Sequence, residues 1–225
     1  MIVLMSAFLL LSAFSCGGGN KANSTSEQSE ETAVNVPQFD ADSAYLYVKN
    51  QVDFGPRVPN TKEHVACGNY LAGQLEAFGA QVTNQYADLI AYDGTLLKAR
   101  NIIGSYKPES KKRIALFAHW DTRPWADNDP DEKNHNTPIL GANDGASGVG
   151  ALLEIARLVN QQQPELGIDI ILLDAEDYGA PQFYTGQHKE EFWCLGSQYW
   201  ARNPHVQGYN CLLYTSDAAD DSLRV

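Results

Sequence analysis

The chain has 225 residues and a formal net charge of −12, from 28 acidic and 16 basic residues. This balance argues against nucleic acid or an anionic membrane surface as a partner, because both repel negative charge. The central part of the chain is long enough to form one domain with a sizeable hydrophobic core.

The N-terminus predicts export and anchoring. Residues 1–15 are an apolar run that is too short to span a membrane but suits the core of a signal peptide. Cys16 follows small residues and precedes three glycines, which resembles a lipoprotein processing site. The alternative is ordinary signal cleavage near Ala13 or Ser15.

The segment after the signal peptide predicts a tether. Residues 16–36 are polar, rich in Ser, Thr and Glu, and too poor in large apolar residues to order themselves. With a lipidated Cys16 at its start, this segment holds a domain away from a membrane. We therefore expect an exported protein, periplasmic or on the cell surface, that is anchored as a lipoprotein.

The first part of the domain predicts two helices and a hairpin. Residues 40–51 form the first predicted helix, and a Gly/Pro turn follows it. A cap and an early acid at residues 60–63 start a second helix, which ends before Gly79. Residues 81–91 and 98–106 predict strands joined by a hairpin turn.

Two apolar runs of strand length follow, RIALFAHWD at residues 113–121 and IDIILLDAED at residues 168–177. Nearly continuous apolar strands indicate a sheet covered by helices on both faces. In such sheets the ligand site lies beyond the carboxyl ends of the strands. The polar residues of both runs come at those ends: His119, Asp121, Asp174, Glu176 and Asp177.

Residues 140–159 begin as a glycine-rich turn that contains Asp144 and continue as a helix with one apolar face from Val149 onward. One interpretation is that Asp144 only caps this helix. Together with the two strand ends, however, the turn brings His, Asp and Glu side chains to one edge of the sheet. This combination predicts a metal-assisted site.

Two irregular segments flank these elements. Residues 121–141 are rich in acids and prolines, and a loop of this length is usually functional or mobile. Within it we expect Trp125 to make apolar contacts and Asp127 to be solvated. The aromatic residues of segment 178–194 indicate a pocket wall or lid, with packing of a surface loop as the alternative.

The C-terminal residues 211–225 break the pattern and resemble translated sequencing-adapter read-through. We therefore expect a non-native tail and a catalytic domain, residues 37–210, that is truncated near Asn210. Cys67 and Cys194 either pair in an oxidising compartment or stay reduced, with Cys67 as a small buried residue.

Four motifs in order, AHWDTRPWAD, LGANDGASGVGALLEIAR, LLDAEDYG and FWCLGSQYWARNPH, resemble the zinc aminopeptidase and glutaminyl cyclase superfamily. Within it, residues 39–210 are most similar to glutaminyl-peptide cyclotransferases of the Bacteroidetes type. The resemblance implies an α/β fold with a mixed, largely parallel central sheet flanked by helices, incomplete at the C-terminus.

The resemblance also assigns roles to individual residues. Asp144 and Asp177 match zinc ligands, and Glu176 matches the general acid/base. His119 matches a ligand of the two-zinc aminopeptidases, whereas the equivalent His of the single-zinc cyclases does not bind metal. The family's remaining His ligand lies beyond the break, so the fragment itself is expected to be inactive.

The implied reaction converts the N-terminal Gln of a peptide or protein to pyroglutamate with release of ammonia, using one zinc ion. Trp125 and Tyr178 are candidates to line the substrate pocket. A zinc aminopeptidase with two zinc ions is the alternative, because the same motifs serve both reactions. A non-catalytic binding lipoprotein of the cell surface is the second alternative.

Overall fold

The structure, a computed structural model, describes residues 35–207, Tyr209 and residues 213–215. The predicted signal peptide, the lipidation of Cys16, nearly all of the tether and most of the predicted tail lie outside the described residues. The compact unit considered below is Pro37–Val225, and the predicted domain limits stay predictions. Within the described part of the chain, no helix combines the length and apolar character needed to span a membrane.

The predicted α/β fold is confirmed. The strands predicted over residues 113–121 and 168–177 end a few residues before those limits, at His119 and Leu173. Two short 3₁₀ turns interrupt the irregular segments. The elements in chain order are α1 (Ala41–Val52), α2 (Lys62–Ala77), β1 (Gln81–Ile90), β2 (Leu96–Tyr106), β3 (Arg113–His119), α3 (Ala146–Gln161), β4 (Gly167–Leu173), α4 (Leu195–Arg202) and β5 (Leu213–Thr215).

Side-chain caps set where the first two helices begin. The Asp40 carboxylate accepts hydrogen bonds from the N–H groups of Asp42 and Ser43, and Thr61 Oγ1 accepts one from the N–H of His64. Each cap satisfies N–H groups that have no partner inside the helix, which contributes about 1 kcal/mol. Polar side chains therefore start α1 and α2 where the sequence predicts.

The five strands form one mixed sheet in the order β1-β2-β4-β3-β5. β1 and β2 are antiparallel, as are β2 and β4, whereas β3 runs parallel to β4 and to β5. Every residue of β4 is buried, as expected for a strand covered on both faces. His119 lies opposite Leu173, so β3 and β4 end side by side.

The main hydrophobic core lies between the sheet and the helices α1, α2 and α3. A smaller cluster on the other face places Trp200 of α4 against Phe117 of β3, with ring centroids 5.0 Å apart. Each fully buried Leu or Ile contributes roughly 1.5–3 kcal/mol relative to an exposed one. The strand ends are therefore held by a packed layer on each side.

Candidate metal centre

Three of the predicted site residues meet at the carboxyl edge of the sheet. His119 is the last residue of β3, Asp144 lies in the turn before α3, and Asp177 follows β4. Each offers a ligand atom that lies within 4.8 Å of those of the other two. His119 Nε2 and Asp144 Oδ1 are 2.7 Å apart.

The turn before α3 approaches β3 so closely that one position requires glycine. The cap of α3 is Gly145, with no side-chain cap bond, so the interpretation of Asp144 as the helix cap is wrong. A Cβ on Gly145 would lie 2.4 Å from the His119 carbonyl oxygen and 2.6 Å from His119 Nε2. The missing side chain therefore lets the Asp144 carboxylate reach the imidazole.

A sharp turn after β4 presents Glu176 and Asp177. Ala175 has a φ of +53°, the left-handed region that a residue with a side chain rarely adopts. The backbone therefore turns at Ala175, directly before Glu176 and Asp177. Three successive N–H groups at the start of α4 bond to its carbonyls over 2.9–3.0 Å: Cys194 to Glu176, Leu195 to Ala175 and Gly196 to Asp174.

Asp121 joins the histidine strand to the acidic turn. Its fully buried carboxylate accepts hydrogen bonds from the N–H of Glu176 at 3.1 Å and the N–H of Asp177 at 3.2 Å. His119 Nδ1 lies 3.5 Å from Asp121 Oδ1, too far for a well-formed hydrogen bond. Burial alone would raise the pKa of Asp121, but His119 and these N–H groups lower it.

A second buried carboxylate supports the turn from below. Asp174 accepts hydrogen bonds from Arg100 N at 2.6 Å and Ala175 N at 2.7 Å, and lies 2.8 Å from His64 Nε2. The His64 ring stacks on the Trp120 ring, with the ring centroids 4.3 Å apart. Asp174 therefore belongs to the support of the site rather than to the metal-binding group, although the sequence placed it with the other acids.

The site carries an excess of negative charge. The pKa of Asp177 is raised to about 8, first by burial and then by Asp121, Asp144 and Glu176, although His119 lowers it. Burial alone would lower the pKa of His119, but its contacts with Asp121 and Asp144 hold it well above the usual value. A cation would relieve the repulsion among these carboxylates.

Two buried polar atoms at this site have no hydrogen-bond partner within the described structure. They are Asp177 Oδ2 and His119 Nδ1. Buried polar atoms are normally satisfied, so an unpaired one indicates a missing ligand, ion or water. Carboxylate oxygens and imidazole nitrogens are the ligands that zinc uses in proteins, so this donor set fits a zinc ion.

The predicted pocket residues lie together beside the site. The rings of Trp125 and Tyr178 pack edge to face at 5.2 Å, and Tyr92 packs against Trp125 at 5.7 Å. The Arg123 guanidinium carbon lies 5.6 Å from the centroid of the Trp125 ring and 4.8 Å from the centroid of the Trp193 ring. Sequence reasoning missed Tyr92, Arg123 and Trp193 because no motif links these distant positions.

Asp127 does not behave as expected. The prediction that it is solvated is wrong, because it is only 5% exposed. Its carboxylate pairs with Arg123 instead. The spacing of four residues between the two was a usable signal, but such pairs are expected on helices and this segment is irregular.

Both described cysteines are free. Burial raises the pKa of the Cys67 thiol to about 12. Burial, followed by the nearby charge of Glu176, raises the pKa of Cys194 to about 12 as well. Neither thiol belongs to the group of three side chains that could hold a metal ion.

The segment from β2 to the end of β5 identifies the family. Residues 101–216, just over half of the chain, match the sequence pattern described as Peptidase family M28. The chain belongs to peptidase family M28. All three residues of the candidate metal site in this M28 protein, His119, Asp144 and Asp177, lie inside the matched segment.

Solved structures agree with this assignment. The M28 chain is 90% identical to a glutaminyl cyclase from Bacteroides thetaiotaomicron, bound to N-acetylhistamine, with a TM-score of 0.80 over 82% of this chain and 63% of that one. It is 61% identical to a Zn-dependent exopeptidase from Parabacteroides distasonis, with a TM-score of 0.79 over 81% and 63%. It is 56% identical to a Tannerella forsythia glutaminyl cyclase, with a TM-score of 0.78 over 81% and 62%. The chain thus spans less than two thirds of these structures.

Proposed function

We propose that the protein is a zinc-dependent glutaminyl-peptide cyclotransferase, an acyltransferase that converts the N-terminal Gln of peptides and proteins to pyroglutamate. The observation that carries this proposal is the 90% identity with a structure named as a glutaminyl cyclase. The assembled group of His119, Asp144 and Asp177, with Glu176 on the same turn, supports it.

Asp144 and Asp177 are the residues that would hold the zinc ion. Asp177 Oδ2 is buried and unpaired within the described structure, so a metal would satisfy it. When bound, zinc polarises a carbonyl group as a Lewis acid. In this reaction that group is the γ-carboxamide of the substrate's N-terminal glutamine.

Glu176 is the proposed proton carrier. The substrate α-amine forms a bond to the γ-carbonyl carbon, and the Glu176 carboxylate accepts a proton from that nitrogen. The bond between this carbon and the amide nitrogen then breaks, and Glu176 gives its proton to the departing ammonia. Its backbone is fixed by Asp121, which accepts its N–H, and by Cys194, which donates to its carbonyl.

The position of His119 supports the reading with one zinc ion. His119 Nε2 and Asp144 Oδ1 are 2.7 Å apart, which is a hydrogen-bond distance. We propose that His119 donates to the outer side of the Asp144 carboxylate and orients it.

The aromatic residues beside the centre are proposed to receive the glutaminyl side chain. Trp125 and Tyr178 present partly buried rings, and Arg123 fixes Trp125 from behind through its guanidinium.

We also propose that the protein is exported and held on a membrane by a lipid on Cys16. The sequence SAFSCGGG and the polar segment after it support this proposal. Such a tether would give the active site access to peptides and proteins outside the cytoplasm.

One experiment separates cyclisation from the aminopeptidase alternative, which the similarity to a Zn-dependent exopeptidase keeps relevant. The full-length protein is incubated with a Gln-initiated peptide, and the product is weighed by mass spectrometry. Ring closure assisted by Glu176 expels ammonia, a loss of about 17 Da. Release of free glutamine with no cyclised peptide would refute the cyclase proposal in favour of the aminopeptidase. An unchanged peptide would refute both enzymatic readings, and the non-catalytic binding lipoprotein would be the remaining alternative.

A further inference from the structure

A buried guanidinium that forms no ion pair among the described residues contacts the turn that carries Asp144. Arg57, in the Gly/Pro turn between α1 and α2, is 0% exposed. All of its described side-chain hydrogen bonds go to backbone carbonyls. By contrast, Arg113 and Arg123 each pair with an aspartate. Burial lowers the pKa of Arg57, and the nearby charges of Asp121 and Asp144 oppose this without forming an ion pair. A buried charge without an ion pair is costly, so its retention calls for an explanation.

The guanidinium joins the two segments that carry His119 and Asp144. Arg57 Nε donates to the carbonyl of Trp120, the residue after His119, at 3.2 Å. Nη1 donates to Leu140 O at 2.6 Å, and Nη2 donates to Gly141 O at 2.8 Å. One planar group therefore sets the distance between the end of β3 and the start of the glycine-rich turn.

Gly141, which accepts a hydrogen bond from Arg57, also packs closely against the backbone of Asp144. Gly141 has a φ of +58°, and a Cβ there would lie 2.4 Å from the Asp144 carbonyl oxygen and 3.0 Å from Arg57 Nη2. The Gly141 carbonyl also accepts the N–H of Ala146, the first residue of α3, at 3.2 Å. A shift of the guanidinium would therefore move the turn that carries the Asp144 carboxylate.

We propose that Arg57 is a positioning residue that sets the zinc affinity of the site by fixing the β3 end and the Asp144 turn before the metal binds. The inference rests on the proposed function, which assigns Asp144 as a zinc ligand. The shape of the side chain is essential, because a guanidinium has five donors in a rigid fork. A lysine ammonium is a single point and cannot reach carbonyls on both segments in the same way.

The test is the dissociation constant for zinc, measured in the folded full-length protein by competition with a chromogenic chelator. Changes in groups that orient metal ligands typically weaken metal binding about 10–100-fold, and we expect this for Arg57→Lys. The matched control is Arg113→Lys. Arg113 is another buried arginine, but it begins β3 at the end opposite His119. The control should lower the melting temperature and leave the zinc affinity unchanged.

Several results would overturn the inference. Wild-type affinity in Arg57→Lys would do so, as would an equal loss in Arg113→Lys, which would indicate general loosening. Weak binding by Arg57→Gln but not Arg57→Lys would mean that charge, not the fork, matters. If the wild type does not bind zinc, or if Asp144→Ala binds it normally, the proposed function fails as well. That outcome differs from a failure confined to Arg57.

A measurement on the wild type covers the case in which the Arg57 variants do not fold. Two amide groups report on the fixed segments: Thr122 N–H donates to the Arg57 carbonyl, and Ala146 N–H donates to the Gly141 carbonyl. Hydrogen exchange should show both amides protected in the zinc-free protein, with little gain when zinc is added. Protection that appears only with zinc would mean that the metal organises these segments, and the inference would be wrong.

Discussion

The Arg123 guanidinium holds both oxygens of the Asp127 carboxylate, with Nε 2.7 Å from Oδ1 and Nη2 2.5 Å from Oδ2. Asp127 Oδ2 also accepts the N–H of Gln182 at 2.8 Å, and Arg123 donates to the Asp177 carbonyl at 3.0 Å. This buried pair therefore joins the irregular segment after β3 to the one after β4. Both segments contribute aromatic rings to the proposed pocket.

Breaking the pair of Arg123 and Asp127 should lower the free energy of unfolding. Asp127→Asn leaves the Arg123 guanidinium buried and unpaired, which typically destabilises a protein by about 3–5 kcal/mol. Urea unfolding measures the change, and KM should rise because the two pocket segments loosen. The control is Asp88→Asn, which breaks an exposed pair with Lys98 and should cost less than about 1 kcal/mol. Equal losses in the two variants would contradict the prediction.

The neighbours Glu176 and Asp177 should have separable roles. Asp177→Ala should lose zinc because a ligand is removed, whereas Glu176→Gln should keep zinc and lose about 10²–10⁴-fold in rate. Elemental analysis beside the cyclisation assay decides this. The exposed Glu190→Gln should change neither quantity. The assignment is reversed if Glu176→Gln sheds the metal while Asp177→Ala retains it.

The full-length protein should contain one zinc ion per chain. In the proposed reading with one zinc ion, His119 binds the Asp144 carboxylate at 2.7 Å and is not itself a ligand. His119→Ala should therefore still hold its zinc, with weaker affinity because Asp144 loses the group that orients it. Two zinc ions in the wild type, falling to one in the variant, would favour the aminopeptidase reading.

Asp169 should make stability depend on acid pH. Burial alone would raise its pKa, but the His205 ring, 3.5 Å away, and hydrogen bonds from Arg113, Ser105 and Tyr209 hold it well below the usual value. A lowered folded-state pKa stabilises the protein above the unfolded-state pKa, about 3.9, and this contribution is lost as pH falls through the folded-state pKa.

The variant Asp169→Asn isolates this contribution. It should lower the free energy of unfolding at pH 7 by about 3–5 kcal/mol, because Arg113 stays buried without its partner. Thermal unfolding is measured for the variant and the wild type from pH 7 down to pH 2. The difference in stability between the two proteins should become smaller below about pH 4. A gap that is constant over this range would show that the Asp169 charge does not stabilise the fold.

Cys16→Ala should release the protein from the membrane fraction, because the proposed lipid is the anchor. Fractionation followed by immunodetection measures this, and Cys67→Ala serves as the control that keeps the anchor. If Cys16→Ala stays with the membrane as the wild type does, the lipid anchor is wrong.

The central strands and the Asp144 turn were predictable because their signals are local. A strand covered on both faces needs nearly continuous apolar residues, which marks β3 and β4 directly. Glycines around Asp144 indicate a backbone that must approach its neighbours closely. His119, Asp144, Glu176 and Asp177 could therefore be placed at one edge of a sheet from the sequence.

The supporting groups were not predictable in the same way. Arg57 is buried because residues 83 and 84 positions further along the chain, Leu140 and Gly141, fold back over it. Nothing near position 57 in the sequence indicates that contact. The same is true of His64, which meets Asp174 110 positions away. Such pairings arise only once the tertiary fold brings the segments together.

The three backbone bonds between the turn after β4 and the start of α4 also fix both ends of the aromatic segment between them. They tie residues 174–176 to residues 194–196, so the intervening aromatic segment leaves and returns at a fixed point. Lengthening a loop whose ends are fixed costs little free energy, roughly 0.6 kcal/mol for each doubling. We therefore expect substitutions or insertions in this segment to reshape the proposed pocket while Glu176 keeps its place.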